Sequence, residues 1–258
     1  MPEFSMVKSV ILAGGEGIRL RNVIKDVPKP MATVAGKPFL EYLILQLKKY
    51  NIRDVVISIG YKGDAIKSYF GNGEKWDMNI SYSLEDEPLG TGGALKKAIN
   101  MVDDEQFIVM NGDSYLDIDL TEFLDFHIEK HADTTLSLAH SSDTSRYGRV
   151  EINKEGKVHR FIEKGVSGYG YINGGIYLFQ QDIVDIIPDG NISLEDMILP
   201  IIIEKGLFGM TVNGFFIDIG IPEDYLMICN ESEKLLNTLP HNSQQVDKLA
   251  LKLTCDRK

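Results

Sequence analysis

The chain of 258 residues is poor in cysteine, in histidine and in positive charge, and each shortage removes a class of protein. Two cysteines, Cys229 and Cys255, form no disulfide framework and no metal-ligand pattern. Cys229 reads as a core thiol and Cys255 as an incidental thiol in a polar tail. The five histidines, His127, His131, His140, His159 and His241, show neither metal spacing nor a triad partner. Neither G-x-S-x-G nor H-E-x-x-H occurs, so serine-hydrolase and zinc-protease signatures are missing. Lys and Arg number 27 against 38 Asp and Glu, a net charge of −11. That balance disfavours nucleic acid as a partner, because phosphate backbones attract basic faces. No apolar run approaches the roughly 20 residues that span a bilayer, and the start lacks the basic and apolar regions of a secretory signal. A soluble protein of the cytoplasm, with no membrane partner, is the expectation. The lone Trp76 reads as a surface or packing residue.

What is present is a soluble globular composition, 43% hydrophobic and 25% charged, of a length that suits one α/β domain. Met1–Ser5 and the segment from Thr238 to Lys258 read as vector-derived or appended tails, leaving one unit over residues 6–237. Strand patterns fall at Val7–Ala13, Asp54–Ile59, Asn79–Leu84 and Phe107–Asn111. Helical patterns fall between and after them, at Phe39–Tyr50, Asp64–Phe70, Thr91–Met101 and Thr121–His131. This alternation predicts a Rossmann-like, doubly wound, mainly parallel but mixed sheet flanked by helices. The second half is richer in strands: Thr134–His140, Arg149–Ile152, Val158–Glu163, Tyr171–Phe179, Met210–Val212 and Phe216–Ile219. Helices are predicted at Leu194–Lys205 and Pro222–Leu236. Residues 6–120 read as a nucleotide-binding half and 121–237 as a sugar-binding half.

The first strand pattern runs into Leu12-Ala13-Gly14-Gly15-Glu16-Gly17, followed by Arg19 and, between two prolines, Lys29. Glycines after a strand leave backbone N–H groups free and admit a close ligand, and the two cations suit phosphate. Taken alone, the glycines equally describe a tight strand-to-helix turn. They match neither G-x-G-x-x-G nor the P-loop. The segment Glu85-Asp86-Glu87-Pro88-Leu89-Gly90-Thr91-Gly92-Gly93-Ala94 opens a helix, and alone reads as an ordinary helix start capped by Thr91. Asn111-Gly112-Asp113 ends an apolar strand and has turn chemistry. Asp218, in Phe216-Ile217-Asp218-Ile219-Gly220, also breaks an apolar strand. A carboxylate there is costly unless paired or metal-bound, so the two aspartates together suggest a shared cation. Glu163-Lys164 alone is a solvated strand end, and Asn173-Gly174-Gly175 alone a turn or bulge.

Together these five ordered motifs, spread over Met6 to Leu236, resemble the sugar-1-phosphate nucleotidyltransferases, whose signature is G-G-x-G-T-R-L followed by P-K-P. The resemblance implies a glycosyltransferase-A-like nucleotidyltransferase fold. It assigns catalytic roles to Arg19, Lys29 and Asp113. Nucleotide contacts fall to Leu12, Ala13, Gly14, Gly15, Gly17, Glu85, Pro88, Gly90, Thr91 and Gly92. Sugar-phosphate contacts fall to Gly112, Glu163, Lys164, Asn173 and Gly174, and a Mg²⁺ cofactor to Asp113 and Asp218. Details such as V-P-K-P-M-A, G-K-P-F-L-E-Y and N-G-D-S look most like the D-glycero-α-D-manno-heptose 1-phosphate guanylyltransferases of surface-polysaccharide pathways. The implied partners are GTP and a sugar 1-phosphate, with pyrophosphate as product; homo-oligomerisation is left open. Mannose-1-phosphate guanylyltransferases share much of the pattern. Two departures stand out: Ile18 and Ile221 replace the usual Thr. Ile18 supports a rival reading as a non-catalytic sensor on the same fold, against which the intact cations and aspartates weigh. A nicotinamide dehydrogenase is disfavoured by the glycine pattern and by the missing acidic residue after Ile59-Gly60.

Overall fold

The computed structural model describes residues 7–239. The elements are, in order, β1 (Ser9–Leu12), β2 (Thr33–Val34), β3 (Lys37–Pro38), α1 (Phe39–Lys49), β4 (Asp54–Ile59), α2 (Gly63–Phe70), β5 (Asn79–Leu84) and α3 (Gly90–Ile99). Then come β6 (Gln106–Asn111), β7 (Ser114–Leu116), α4 (Leu120–Glu129), β8 (Thr134–Ser141), β9 (Arg149–Ile152), β10 (Val158–Ile162) and β11 (Gly170–Gln180). The chain closes with α5 (Leu199–Ile203), β12 (Leu207–Val212), β13 (Phe216–Asp218), α6 (Pro222–Asn230) and α7 (Glu233–Leu236).

The central sheet is mixed. β6, β1, β4 and β5 run parallel in that order, and β11 joins the β6 edge antiparallel. β11 then pairs antiparallel with β8 and β9, and β12 lies parallel to β8. The continuous apolar runs of the central strands follow from burial on both faces. Val10, Val56, Phe107 and Val109 enter one core, while Ile11, Val55, Ile57, Ile108 and Met110 enter the other. Helices α1 and α2 contribute Leu40, Leu43, Leu47 and Ile66 to the second core, and α3 contributes Leu95, Ala98 and Ile99 to the first.

The chain therefore moves outward from β1 through β4 to β5 with its helices on one face. It returns through α3, on the other face, to β6 on the far side of β1. The strand order reverses between β1 and β6, and ligands of open α/β sheets bind beyond the strand ends at such a point. There the two strand ends are tied together, since the Gly112 N–H donates to the Leu12 carbonyl at 2.9 Å. A Cβ on Gly112 would sit 2.7 Å from that oxygen, so glycine is required for the approach.

Four expectations change. The helix predicted at Leu194–Lys205 is a π-helical turn, Leu194–Ile198, followed by the short α5. Pro200 has no N–H to donate back to residue 196, which loosens the preceding turn. The helix predicted at Pro222–Leu236 breaks at Glu231–Ser232 into α6 and α7. Cys229 is half-buried rather than in the core, with its Sγ 3.8 Å from the Thr33 carbonyl. At the end of the fold, packing continues past residue 237. Leu239 is buried, and the Thr238 hydroxyl hydrogen-bonds the Tyr115 hydroxyl at 2.7 Å. Met1–Ser5, His241 and Cys255 lie outside the described residues. Trp76 is buried against Tyr69 and Phe70. Among the described residues no helix is long and apolar enough to cross a membrane.

His127 on α4 is buried, with Nδ1 at 2.8 Å from the Thr135 hydroxyl and Nε2 at 3.3 Å from the Gln180 amide. Burial pushes its pKa from 6.5 down to about 4, against the opposing pull of Asp133. The folded protein thus takes up this proton less readily than the unfolded chain. The resulting stability is complete above pH 6.5 and is lost as pH falls toward 4, on the order of 3 kcal/mol in all. His127→Gln is expected to flatten the fall in unfolding free energy over that window. Parallel pH profiles for parent and variant in urea titrations would show that His127 contributes nothing there.

Candidate active site

A cavity of about 730 Å³ opens at the β1/β6 reversal. Its lining contains Leu12, Ala13, Gly14, Gly15, Gly17 and Arg19 from the first motif, with Lys29 beyond them. Glu85, Pro88, Gly90 and Thr91 line it from the second motif, and Asp113 from the third. Most of the residues expected to meet a nucleotide therefore share one surface. Gly92 instead packs its backbone on Ile192, donating to that carbonyl at 2.7 Å.

The glycine loop is shaped by contacts that only glycine permits. Gly17 has φ 58°, and a Cβ there would meet the Lys29 side chain at 2.8 Å. A Cβ on Gly14 would lie 1.9 Å from the Glu85 carboxylate. That carboxylate is held in place: its Oε1 accepts from the Ser58 hydroxyl at 3.0 Å and its Oε2 from the Leu89 N–H at 3.3 Å. The loop and the second motif are thus keyed together through Glu85. Ile18 begins a single 3₁₀ turn, Ile18–Leu20, and is 67% exposed at the cavity mouth.

Beside the loop, the short pair β7–β13 brings two carboxylates together. Asp218 pairs in register with Ser114, the residue after Asp113, and the Ile219 N–H donates to the Asp113 carbonyl at 2.9 Å. The Lys29 ammonium donates to Asp113 and lies 3.9 Å from Asp218. Arg146 reaches Asp218 at 3.3 Å and also pairs with Asp224. Burial raises the Asp218 pKa, and the Asp113 charge raises it further. Lys29, Arg146 and the Gly220 N–H, at 2.5 Å, act in the opposite sense. Two carboxylates, without sulfur or imidazole, are the donor set of a hard divalent cation. Among the described residues no group of three or more such ligands occurs, so substrate oxygens would have to complete the coordination, as magnesium sites commonly require.

The sugar-side residues are dispersed. Glu163 and Lys164 stand on an exposed turn after β10 and do not line the cavity. Asn173 lies on β11 next to a bulge; its Nδ2 donates to the Tyr177 hydroxyl at 2.7 Å and its Oδ1 accepts from the Gly175 N–H at 2.8 Å. Gly174 is buried, with space for a Cβ taken by Leu116 and Ser137. Thr91 is not the cap of α3. Its hydroxyl donates to Glu195 Oε2 at 2.6 Å and accepts from the Leu194 N–H at 2.8 Å.

Sequence reasoning missed Glu195, Asn191 and Arg146. Glu195 lies in S-L-E-D, which reads as the acidic first turn of a helix. Arg146 lies in a polar segment before β9. Neither carries a local signal, because each acquires its partners only across the fold.

The nucleotidyl transferase family model matches residues 8–234. A D-glycero-α-D-manno-heptose 1-phosphate guanylyltransferase of Aneurinibacillus thermoaerophilus is 40% identical over 221 residues, covering 85% of this chain and 95% of that protein. A mannose-1-phosphate guanylyltransferase of Mycobacterium tuberculosis is 34% identical, covering 85% of this chain and 63% of the relative. HddC from Yersinia pseudotuberculosis superposes with a TM-score of 0.79 at 36% identity, covering 88% of this chain and all of that one. The same protein complexed with GMP-PN superposes with a TM-score of 0.77.

Gly14→Ala is expected to displace Glu85 from Ser58 and Leu89, at a cost of about 1–3 kcal/mol in urea denaturation. Unchanged stability would mean that Glu85 does not depend on the missing side chain.

Proposed function

We propose that this chain, which belongs to the nucleotidyl transferase family, transfers GMP from GTP to D-glycero-α-D-manno-heptose 1-phosphate in the cytoplasm. The products are the GDP-sugar and pyrophosphate. The observation that carries this reading is the convergence of the glycine loop, Lys29 and the Asp113–Asp218 pair at one strand-order reversal. The choice of heptose and guanine rests on likeness to heptose 1-phosphate guanylyltransferases matched over nearly their whole length, and on a structural neighbour complexed with GMP-PN. Mannose 1-phosphate is the second reading, supported by the more distant mannose-1-phosphate relative.

In this reading a sugar-phosphate oxygen attacks the α-phosphorus of GTP. One P–O bond forms, the α–β bridging P–O bond breaks, and its electron pair leaves with pyrophosphate. No side chain becomes covalently bound, so the work is alignment and charge neutralisation. The free N–H groups near Gly14, Gly15 and Gly17, with Arg19, cradle the triphosphate. Lys29 shifts its charge from the aspartates toward the α-phosphate. Asp113 and Asp218 would hold Mg²⁺, which supplies further neutralisation of the reacting phosphates when bound. Glu85, Pro88, Gly90 and Thr91 form the base and ribose side, and Gly92 supports them from behind through its contact with Ile192. The closely packed Gly112 and Gly174 let the strands beneath the substrate approach one another, while Glu163 and Asn173 would meet the sugar and Lys164 its phosphate. This role requires the exposed Glu163–Lys164 turn to close over the substrate.

Asp113→Ala and Lys29→Ala are each expected to lower pyrophosphate release from GTP and the heptose phosphate by about 100-fold or more. Rates near the parent's would sink the assignment. Ile18→Thr, a change on an exposed site, should leave stability within about 0.5 kcal/mol. If the missing hydroxyl limits the phosphate loop, the same change raises kcat; an equal kcat shows that the loop works through its backbone alone, and a lower one that the Ile18 side chain itself contributes.

A further inference from the structure

Besides Glu16, Glu85 and Asp113, a further carboxylate lines the cavity, and the reaction outlined above gives it no part. Glu195 lines the cavity from the π-helical turn Leu194–Ile198. It accepts from three neutral donors: the Thr91 hydroxyl at 2.6 Å, the Asn111 amide at 3.2 Å and the Tyr177 hydroxyl at 3.2 Å. These partners come from three different elements, α3, β6 and β11. Thr91 opens the nucleotide-side helix. Asn111 stands two residues before Asp113. Tyr177 accepts from Asn173 on the sugar side.

We propose that Glu195 is a positioning residue that holds the nucleotide side and the sugar-phosphate side of the cavity in one alignment. The inference rests on the nucleotidyl-transfer reading above. Its physical basis is direction. An ionised carboxylate only accepts hydrogen bonds, so each neighbour must turn a donor toward it. The Tyr177 O–H therefore points to Glu195, which leaves its oxygen lone pairs for Asn173 Nδ2. Asn173 Oδ1 is then committed to the Gly175 N–H at the bulge. Asn111 likewise turns its Nδ2 inward, and its Oδ1 is left buried without a partner among the described residues. Burial, and next the Glu195 charge, keep the Tyr177 hydroxyl protonated far above the ordinary phenol range, so that donor persists at working pH. On the other side, the Thr91 hydroxyl joins Glu195 to the Leu194 N–H. This docks the first turn of α3 on the π-turn that carries the carboxylate. A single acceptor thus sets three donor directions.

Glu195→Gln keeps the shape but adds an N–H₂ that must face one of these donors, so one arm of the network turns. Both substrates still bind, but the attacking and receiving phosphates lose alignment. Misplacement of about 1 Å is enough to cost on the order of 100-fold in rate. The test measures pyrophosphate release with GTP and the heptose 1-phosphate varied separately, together with GTP binding by calorimetry and the thermal unfolding midpoint. For Glu195→Gln, kcat should fall about 30-fold, with GTP affinity within about threefold and the midpoint within about 3 °C. Tyr177→Phe, which cuts only the arm to Asn173, should raise KM for the sugar phosphate about tenfold and leave KM for GTP alone. A kcat for Glu195→Gln within twofold of the parent overturns the proposal. So does a loss of kcat matched by a fall in the unfolding midpoint and in GTP affinity, which marks a purely structural residue. A sugar-phosphate KM unchanged in Tyr177→Phe overturns the sugar-side arm. A parent protein that turns over no sugar phosphate overturns the functional reading and this inference together, whereas an active parent matched by Glu195→Gln overturns this inference alone.

Discussion

Backbone pairing brings two carboxylates within reach of one lysine, and the rest of the site is organised around that constraint. Asp218 ends β13 and Asp113 precedes β7, so the antiparallel register of these two short strands leaves neither acid free to move away. Burial raises the pKa of Asp218, and the neighbouring Asp113 charge raises it further, so ionising both acids is costly. Lys29 and Arg146 reduce that cost, and each comes from a separate part of the chain. The P-K-P segment thereby acquires its position: two prolines stiffen the backbone that carries the lysine to the acidic pair. Anything bound here must either share or replace those cations.

That local arrangement answers a difficulty raised by composition. A chain of net charge −11 repels a polyanionic substrate at long range. It needs donors that add no net charge and a few cations at the point of chemistry. Backbone N–H groups of the glycine loop are donors of the first kind. Their approach is kept open by glycines whose Cβ atoms would strike Lys29 or Glu85. The Glu85 carboxylate beside the glycine loop is accounted for by its partners. Bound to Ser58 and Leu89, it is a brace that joins the loop to the second motif.

The parts of the fold that were legible in the sequence are those governed by neighbours in the chain. β4 and β5 and the placement of α1 and α2 follow from apolar runs, helical spacing and glycine breaks, and the structure reproduces β4 and β5 to the residue. Elements governed by distant contacts were not legible. The β2–β3 hairpin and β7 are too short to show a period, and the π-turn before α5 follows from how Pro200 and the Thr91 contact fit together. The same division holds for the site. Gly14, Lys29 and Asp113 stand in compact motifs, and all line the cavity. Glu195 and Arg146 stand in unremarkable segments and matter only through partners on other elements, a hundred or so residues away for Thr91 and Glu195.

The two departures from the family pattern fall where the backbone, not the side chain, does the work. Ile18 is mostly exposed, and the turn that follows it is set by the left-handed Gly17 before it. Replacing Thr by Ile there removes a hydroxyl but leaves the turn and its N–H groups in place. Ile221 precedes Pro222 in extended conformation, φ −131° and ψ 157°, which is the region that a following proline enforces and a β-branched residue favours. The hydrogen bond that fixes Asp218 comes from the Gly220 N–H and is indifferent to the side chain at 221. Both substitutions thus spare the acidic pair and its cations, and the constraint that organises the site survives them.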